Sequence, residues 1–297
     1  MPSAFGDLVQ PFQIETFGLR GRLVRLGGAL DAAIENHDYP LSVTALLGEI
    51  MALAAVLASG LKYDGVFTVQ THGDGPVPMT VANVTSDGDL RGYARVTDSA
   101  REVETAAAPV PRLLGAGHMA FTVDQGVDTE RYQGITELTG DTITDCARNY
   151  FRRSEQLDTA VALAARPGNG AGGARATALV IQRLPPDVGA GDDADENWRQ
   201  TVILMSAVTA DEMLDEALSP ADLLYRLFHH EGVRLFRQRR LRHACRCSRE
   251  RVSTTLRAFP RPEVEAMADE GRVTVTCEFC KVSYVFDGND VAELYPP

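Results

Sequence analysis

Cysteine is scarce in this chain, five in 297 residues, too few for a scaffold stapled throughout by disulfides. Long hydrophobic runs are also missing. The longest, Ile50 to Ala58, falls well short of the roughly 20 residues that cross a bilayer and reads as a core helix. The N-terminal stretch MPSAFGDLVQPFQIETFGLRG has no basic start followed by an apolar run, so neither a secretory signal nor a transit peptide is visible. A cytoplasmic protein with no membrane partner is expected. Positive charge is in deficit: the formal net charge is -12 and the pI about 5.0, which argues against a surface basic throughout and built for nucleic acid. No nucleophile with a partnered base, no phosphate-cradling loop, no convincing acid pair and no internal repeat emerges, and no enzymatic activity is expected.

What is present suffices for a sizeable core: 44% of residues are hydrophobic and 24% charged. Up to about Pro185 helix and strand signals mix. Ser42 is expected to cap a helix through Ser59 whose apolar positions cover most of its surface, making it the buried centre of the fold. Strand-like runs follow at GVFTVQTHG, VPMTVANVT and LRGYARVT, separated by the turns GDGP and DG, and then at HMAFTVDQG and RYQGITEL. A helix from near Asp141 and a hairpin joining TAVALAAR to ARATALVIQRLP through a glycine-rich loop complete this part. Strands grouped apart from helices favour an α+β fold over a doubly wound one.

The acidic, Pro- and Gly-rich stretch LPPDVGAGDDADEN marks a boundary near residue 190. Short amphipathic helices are expected beyond it, over Trp198 to Val208, after the capping residue Thr209 with Glu212, and after Ser219-Pro220. Segments this short are marginal in isolation and must pack on something larger. The reading is therefore an N-terminal core domain of mixed sheets and helices over 1–189, a helical linker over 190–243, and a small C-terminal metal-binding domain over 244–297.

Four of the five cysteines lie in two tight pairs, Cys245-Arg-Cys247 and Cys277-Glu-Phe-Cys280. Two such pairs from separate segments supply the tetrahedral sulfur set of structural zinc, one ion per chain. Ser248 is placed to cap a helix to Ala258, a second helix should run from near Glu263 to Asp269, and RVTVT and KVSYVF read as strands flanking the CEFC turn. The expected core is thin: Val252, Leu256, Phe259, Val264, Met267, Val273, Val275, Val282, Tyr284 and Phe286. A metal would tip such a unit toward the folded state.

Three uses of the site stay open. It can be a plain structural staple, a sensor, since either pair is close enough to close on itself and so remove two ligands, or a nucleic-acid-binding zinc module. The last gains from nine arginines between Arg234 and Arg257 against the single acid Glu250, a flank that would also favour reactive thiolates. A thioredoxin-like role for CEFC is disfavoured, because that motif should open a helix, whereas strand signals lie on both sides. His243, His229 and His230 are not needed as ligands, and Cys146 reads as a buried small side chain.

The segments NHDYP (36–40), LLGE (46–49), GDGP (73–76), RGYARV (91–96), YQGITELTGDT (132–142), YFRRSEQL (150–157) and ADEML (210–214), with the tail CRCSRERV and CEFC, follow one another in an order that resembles the bacterial redox-regulated heat-shock chaperones of the thirty-three-kilodalton class. The resemblance spans nearly the whole chain. It implies zinc on Cys245, Cys247, Cys277 and Cys280 in a reduced, inactive monomer. It further implies oxidation to the disulfides Cys245–Cys247 and Cys277–Cys280, loss of zinc, unfolding of the linker, and a dimer that holds unfolding client proteins without ATP. Candidate client-binding residues are then the apolar positions of the linker helices, Leu204, Met205, Met213, Leu214, Leu223, Leu224, Leu227 and Phe228. The glycine-rich loop (168–173) and the arginine-rich approach to Cys245 are more pronounced than that family leads one to expect.

Overall fold

The structure is a computed structural model that describes residues 5–103, 108–126, 129, 131–155, 157–168, 172–183 and 194–295. The chain divides into two compact units, residues 1–243 and 244–297.

In the first unit the elements run β1 (Leu8–Ile14), β2 (Leu19–Leu26), α1 (Gly28–Ile34), α2 (Leu41–Ala58), β3 (Val66–Gly73), β4 (Met79–Thr85), β5 (Asp89–Arg95), β6 (Gly117–Asp124), β7 (Tyr132–Glu137), α3 (Ile143–Tyr150), β8 (Thr159–Arg166), β9 (Arg175–Gln182), α4 (Ala194–Ser206), α5 (Ala210–Leu214), α6 (Pro220–Phe228), β10 (Val233–Leu235), β11 (Arg239–Arg240) and β12 (Arg242–His243). One sheet has the order β10, β1, β2, β9, β8, with β11 also paired to β1, and the other has the order β12, β5, β4, β3, β6, β7. Every pairing is antiparallel except β12 on β5. The grouped strands make this the α+β fold expected.

Helix α2 lies between the two sheets. Its sequence, LSVTALLGEIMALAAVLA, has Glu49 as its one charge and is rich in strong helix formers, so it is apolar all round and must be covered all round. Leu47, Ile50, Met51, Leu53 and Ala54 are fully buried. The helix is long and apolar enough by composition to cross a membrane, with mean hydropathy 2.1, yet 83% of it is buried inside this unit. Gly92 on β5 allows the closest approach, because a Cβ there would stand 2.4 Å from Met51 Sδ. Ser42 does not cap the helix as expected. The helix starts at Leu41 after Pro40, which leaves Ser42 inside the first turn, where its hydroxyl donates to the Val103 carbonyl at 2.8 Å.

Glu49 keeps part of its residue surface accessible, but its carboxyl is walled in by the core, and this desolvation raises its pKa to about 7. The folded state therefore holds a proton that the unfolded chain releases near pH 4.5, so stability declines as pH rises between these values and levels off above about 7. Glu49→Gln is expected to raise the melting temperature of the first unit at about pH 8, by the equivalent of up to roughly 3 kcal/mol, and to change it little near pH 5. Parallel thermal melts at the two pH values check this; destabilisation at both would mean the carboxylate has a partner.

The sheet containing β9 is buried on its second face as well, by the short helices. Strand β9 is accordingly buried along almost its entire length instead of alternating. Phe12, Ile14, Leu23, Leu179 and Ile181 meet Met205, Met213, Leu214, Leu218, Leu223, Leu224 and Phe228 in one cluster, with Leu204 and Leu227 partly buried against it. Thr209 and Glu212 form the capping box foreseen for α5, and Ser219 caps α6, accepting from Asp222 N. Helix α4 starts at Ala194, four residues earlier than read, and α6 ends at Phe228, leaving His229 and His230 in the turn beyond it. The core of the acidic stretch, residues 184–193, and residues 169–171 of the glycine-rich loop lie outside the described residues.

Arg25 lies under these helices with 1% of its surface exposed. Its Nη1 donates to the Leu218 carbonyl at 2.6 Å and its guanidinium covers the Phe5 ring at 4.8 Å, while Nε and Nη2 have no hydrogen-bond partner among the described residues. Burial lowers its pKa, against the pull of Asp215. A charged hydrogen bond contributes about 1.5–3 kcal/mol and a desolvated cation–π contact about 2, against several for burying the ion. Arg25→Met is thus expected to leave the unfolding midpoint of the first unit unchanged or slightly raised; a loss of the roughly 3–5 kcal/mol typical of a broken buried ion pair would contradict it.

The second unit contains α7 (Arg249–Arg257), α8 (Arg261–Ala266), an antiparallel hairpin of β13 (Val273–Thr276) and β14 (Ser283–Phe286), and α9 (Gly288–Leu294). Leu256, Val264, Val273, Phe286, Val291 and Leu294 form its core, with Val252, Val275 and Tyr284 packed against it. Phe259, Met267 and Val282 were expected inside but are 42%, 52% and 49% exposed. Their places are taken by Val291 and Leu294 of α9, a helix not read from the sequence. Its signal was there: Asp287 and Asp290 form a capping box ahead of VAEL. Helix α8 begins at Arg261 and ends before Met267, earlier than the expected span 263–269, because Pro262 fits the first turn, where its missing N–H leaves no bond unmade.

Candidate metal centre

The second unit brings its cysteines together from two directions. Cys245 and Cys247 lie on the extended segment leading into α7, where the Ser248 side chain accepts from Arg251 N and starts the helix immediately after Cys247. Cys277 and Cys280 lie in the turn between β13 and β14. There Cys277 N donates to Val282 O at 2.9 Å and Lys281 N to Cys277 O at 2.8 Å, and Lys281 takes a left-handed conformation (φ 59°). This tight knuckle aims both sulfurs to one side.

All four Sγ atoms lie within 4.8 Å of one another, and among the described residues they are the one cluster of His, Cys, Asp and Glu able to hold a metal ion. Cys245 and Cys277 are 3.7 Å apart and Cys247 and Cys280 3.4 Å apart. A tetrahedron with metal–sulfur bonds of about 2.3 Å has sulfur–sulfur edges of about 3.8 Å, so only small adjustments close it on an ion. Tyr284, expected as a core side chain alone, also donates its hydroxyl to Cys247 Sγ at 3.2 Å, the outer-sphere contact that orients a ligand.

The sulfurs differ in acidity. Burial opposes ionisation of Cys245, but hydrogen bonds from the Cys247 backbone and the neighbouring sulfurs outweigh it and bring the thiol down to about 7. Burial, and then the adjoining sulfurs, push Cys280 up to about 12, and burial raises Cys247 as well. Four thiols this close resist ionising together, which makes the donor set complementary to a soft divalent cation. The arginine flank contributes less than its density suggested. Arg249 pairs with Asp290 at 2.8 Å and donates to Val285 O, and Arg251 donates to Arg246 O. Within the first unit, Arg242 pairs with Asp89.

The remaining sequence candidates lie elsewhere. His243 belongs to β12 and is no part of the cluster. Cys146 is fully buried in the first unit, its thiol raised in pKa by burial and donating to Thr139 O at 3.3 Å. The apolar positions of α4 to α6 cover a sheet of the first unit rather than lining the sulfur site.

Fold and site together define an α+β protein whose C-terminal unit carries a four-cysteine site fit for zinc. The model of the Hsp33 protein family matches residues 7–287, and the chain belongs to that family. It is 41% identical over 287 residues to the 33 kDa chaperonin of Caulobacter vibrioides, covering 95% of each chain. It is 37% identical over 294 residues to that of Pseudomonas fluorescens, covering 97% of this chain and 93% of the relative. The crystal structure of a 33 kDa chaperonin (heat shock protein 33 homolog) from Thermotoga maritima shares the fold, with TM-score 0.83 over 97% of both chains at 23% identity. The chain is thus a chaperone, and its cysteine cluster is compatible with zinc and redox chemistry.

Proposed function

We propose that this protein is a redox-gated, ATP-independent holdase of the cytoplasm, resting as a reduced monomer and active as an oxidised dimer. The observation that carries the reading is the convergence of four sulfurs in a unit with so thin an apolar core. Zinc, when bound by Cys245, Cys247, Cys277 and Cys280, would compensate four thiolates and contribute folding energy, roughly 10–16 kcal/mol in finger peptides.

Each cysteine pair closes by losing two electrons to one peroxide molecule, giving one disulfide and two waters, so the four thiols consume two peroxides. The disulfides would be Cys245–Cys247 and Cys277–Cys280. A sulfur in a disulfide no longer ligates, so the site cannot keep its ion and the second unit loses its main source of order. Residues 190–243 act as the responsive linker: α4 to α6 are short, and once undocked they present Leu204, Met205, Met213, Leu214, Leu223, Leu224, Leu227 and Phe228 to unfolding clients. Undocking also rehydrates Arg25, which offsets part of the cost. This is an order-to-disorder switch biased by the metal site.

Peroxide titration of the reduced, zinc-loaded protein tests it, with metal release, free thiols and suppression of client aggregation read on one sample. All three should move together. Equal suppression before and after oxidation would remove the gate.

A further inference from the structure

The two sheets of the first unit leave a cavity of about 270 Å³ beside the C-terminal end of α2. Its walls are apolar and largely aromatic: Phe67 of β3, Phe121 of β6, Val180 of β9, Leu57 of α2, and Tyr150 and Phe151 at the end of α3. The Phe121 and Tyr150 rings pack with centroids 4.2 Å apart, and Phe151 meets Tyr150 edge-on at 5.3 Å.

Polar groups gather at the cavity's edges. Arg22 of β2 extends over Gly60, its Nη1 lying 3.0 Å from where a Cβ on that glycine would stand, so any larger residue at position 60 would displace the guanidinium. The Leu57 carbonyl, near the end of α2, lies 3.3 Å from the same point. Among the described residues Arg22 has no ion-pair or hydrogen-bond partner: burial and the like charge of Arg20 lower its pKa, and no carboxylate raises it. Of the other polar side chains lining the cavity, Gln182 donates to Thr159 Oγ1 at 3.5 Å, and Glu155 is engaged too. Its Oε1 accepts from the Tyr132 hydroxyl at 2.8 Å and from the Tyr150 hydroxyl.

We infer that this cavity binds a medium-chain amphipathic carboxylate, its head on Arg22 and its apolar body among Phe67, Phe121 and Phe151. A guanidinium matches a carboxylate in two parallel hydrogen bonds, and an incoming anion offsets the desolvation that Arg22 otherwise bears uncompensated. Glu155 repels an anion from its side of the cavity and so fixes the head at Arg22. The volume, near the roughly 300 Å³ lower end of ligand sites, suits a medium chain and excludes a long acyl lipid. A phosphate head is disfavoured, because the cavity offers one cation and no helix N-terminus.

Calorimetric titration of the full reduced, zinc-loaded chain with decanoate and, separately, decanol tests the assignment. Decanoate should bind at least about tenfold more tightly than decanol, reflecting the charged pairing. Arg22→Gln should bring decanoate down to the decanol level, Arg22→Lys should keep part of the preference, and Val123→Trp, which fills the cavity from β6, should weaken both probes. Thermal melts verify folding; if Arg22→Gln does not fold, Arg22→Lys and Val123→Trp still decide. Equal affinity for the two probes, or decanoate binding untouched by Val123→Trp, would overturn it.

Discussion

Replacing Cys277 by Ser is expected to melt residues 244–297 and with them to release the linker helices, while the two sheets of the first unit stay folded. The second unit is near the lower size limit for an independent domain, and it leaves Phe259, Met267 and Val282 exposed, so little burial remains to replace a lost metal. A hydroxyl is a poor substitute for a thiolate, and losing one ligand of four forfeits much of the roughly 10–16 kcal/mol that structural zinc can contribute. Limited proteolysis of reduced Cys277→Ser should digest the second unit and then the linker while sparing the two sheets of the first unit, and a chelator should do the same to the parent. Tyr284→Phe, which removes one hydrogen bond to Cys247, should weaken metal retention far less. A protease pattern identical to that of the metal-loaded parent would show that the apolar core alone holds the unit, and the gate would have no trigger.

Phe228→Ala is expected to produce a chaperone active without oxidation. Phe228 is fully buried and stacks on Phe12 of β1 with ring centroids 6.3 Å apart, at the centre of the cluster that fastens the short helices to the sheet. Truncating a buried Phe costs about 3–5 kcal/mol, a large share of what can hold helices this short in place. Hydrogen exchange over 194–228 should accelerate, and the reduced, metal-loaded variant should suppress client aggregation. Ile203→Ala is the control: Ile203 is 66% exposed on α4, and its truncation should stay within about 0.5 kcal/mol of the parent. If the helices of Phe228→Ala opened to exchange while the reduced variant remained inactive, the linker would not be the client-binding surface.

The sites of chemistry were more legible than the packing around them. The cysteine spacing and the flanking strands CEFC required are read within a dozen residues, and the structure places these four sulfurs together. Tyr284 was read as core alone because nothing local says that its hydroxyl reaches Cys247, which is 37 positions away. The cavity with Arg22 left no trace in the sequence, since its walls come from β2, α2, β3, β6 and β9. Strands β1 and β2 went unread, and residues 233–243, expected as the end of a helical linker, are instead the strands β10 to β12, because their backbone pairs with β1 and β5 of the two sheets.

What the sequence determined alone was short-range: the hairpin turns, the capping box of Thr209 and Glu212, the apolar helix at 41–58, the paired cysteines, and the α+β class that follows from strands grouped apart from helices. Such features arise from backbone and side-chain preferences acting over a few residues. Tertiary structure alone decided that α2 lies between two sheets, that Gln10 bonds the Phe236 carbonyl across 226 positions, that Arg242 pairs with Asp89 across 153, and that α9 displaces Phe259, Met267 and Val282 from the second core. Burial is shared among segments that meet only on folding, and a residue's own neighbourhood in the chain carries no mark of which distant face will cover it.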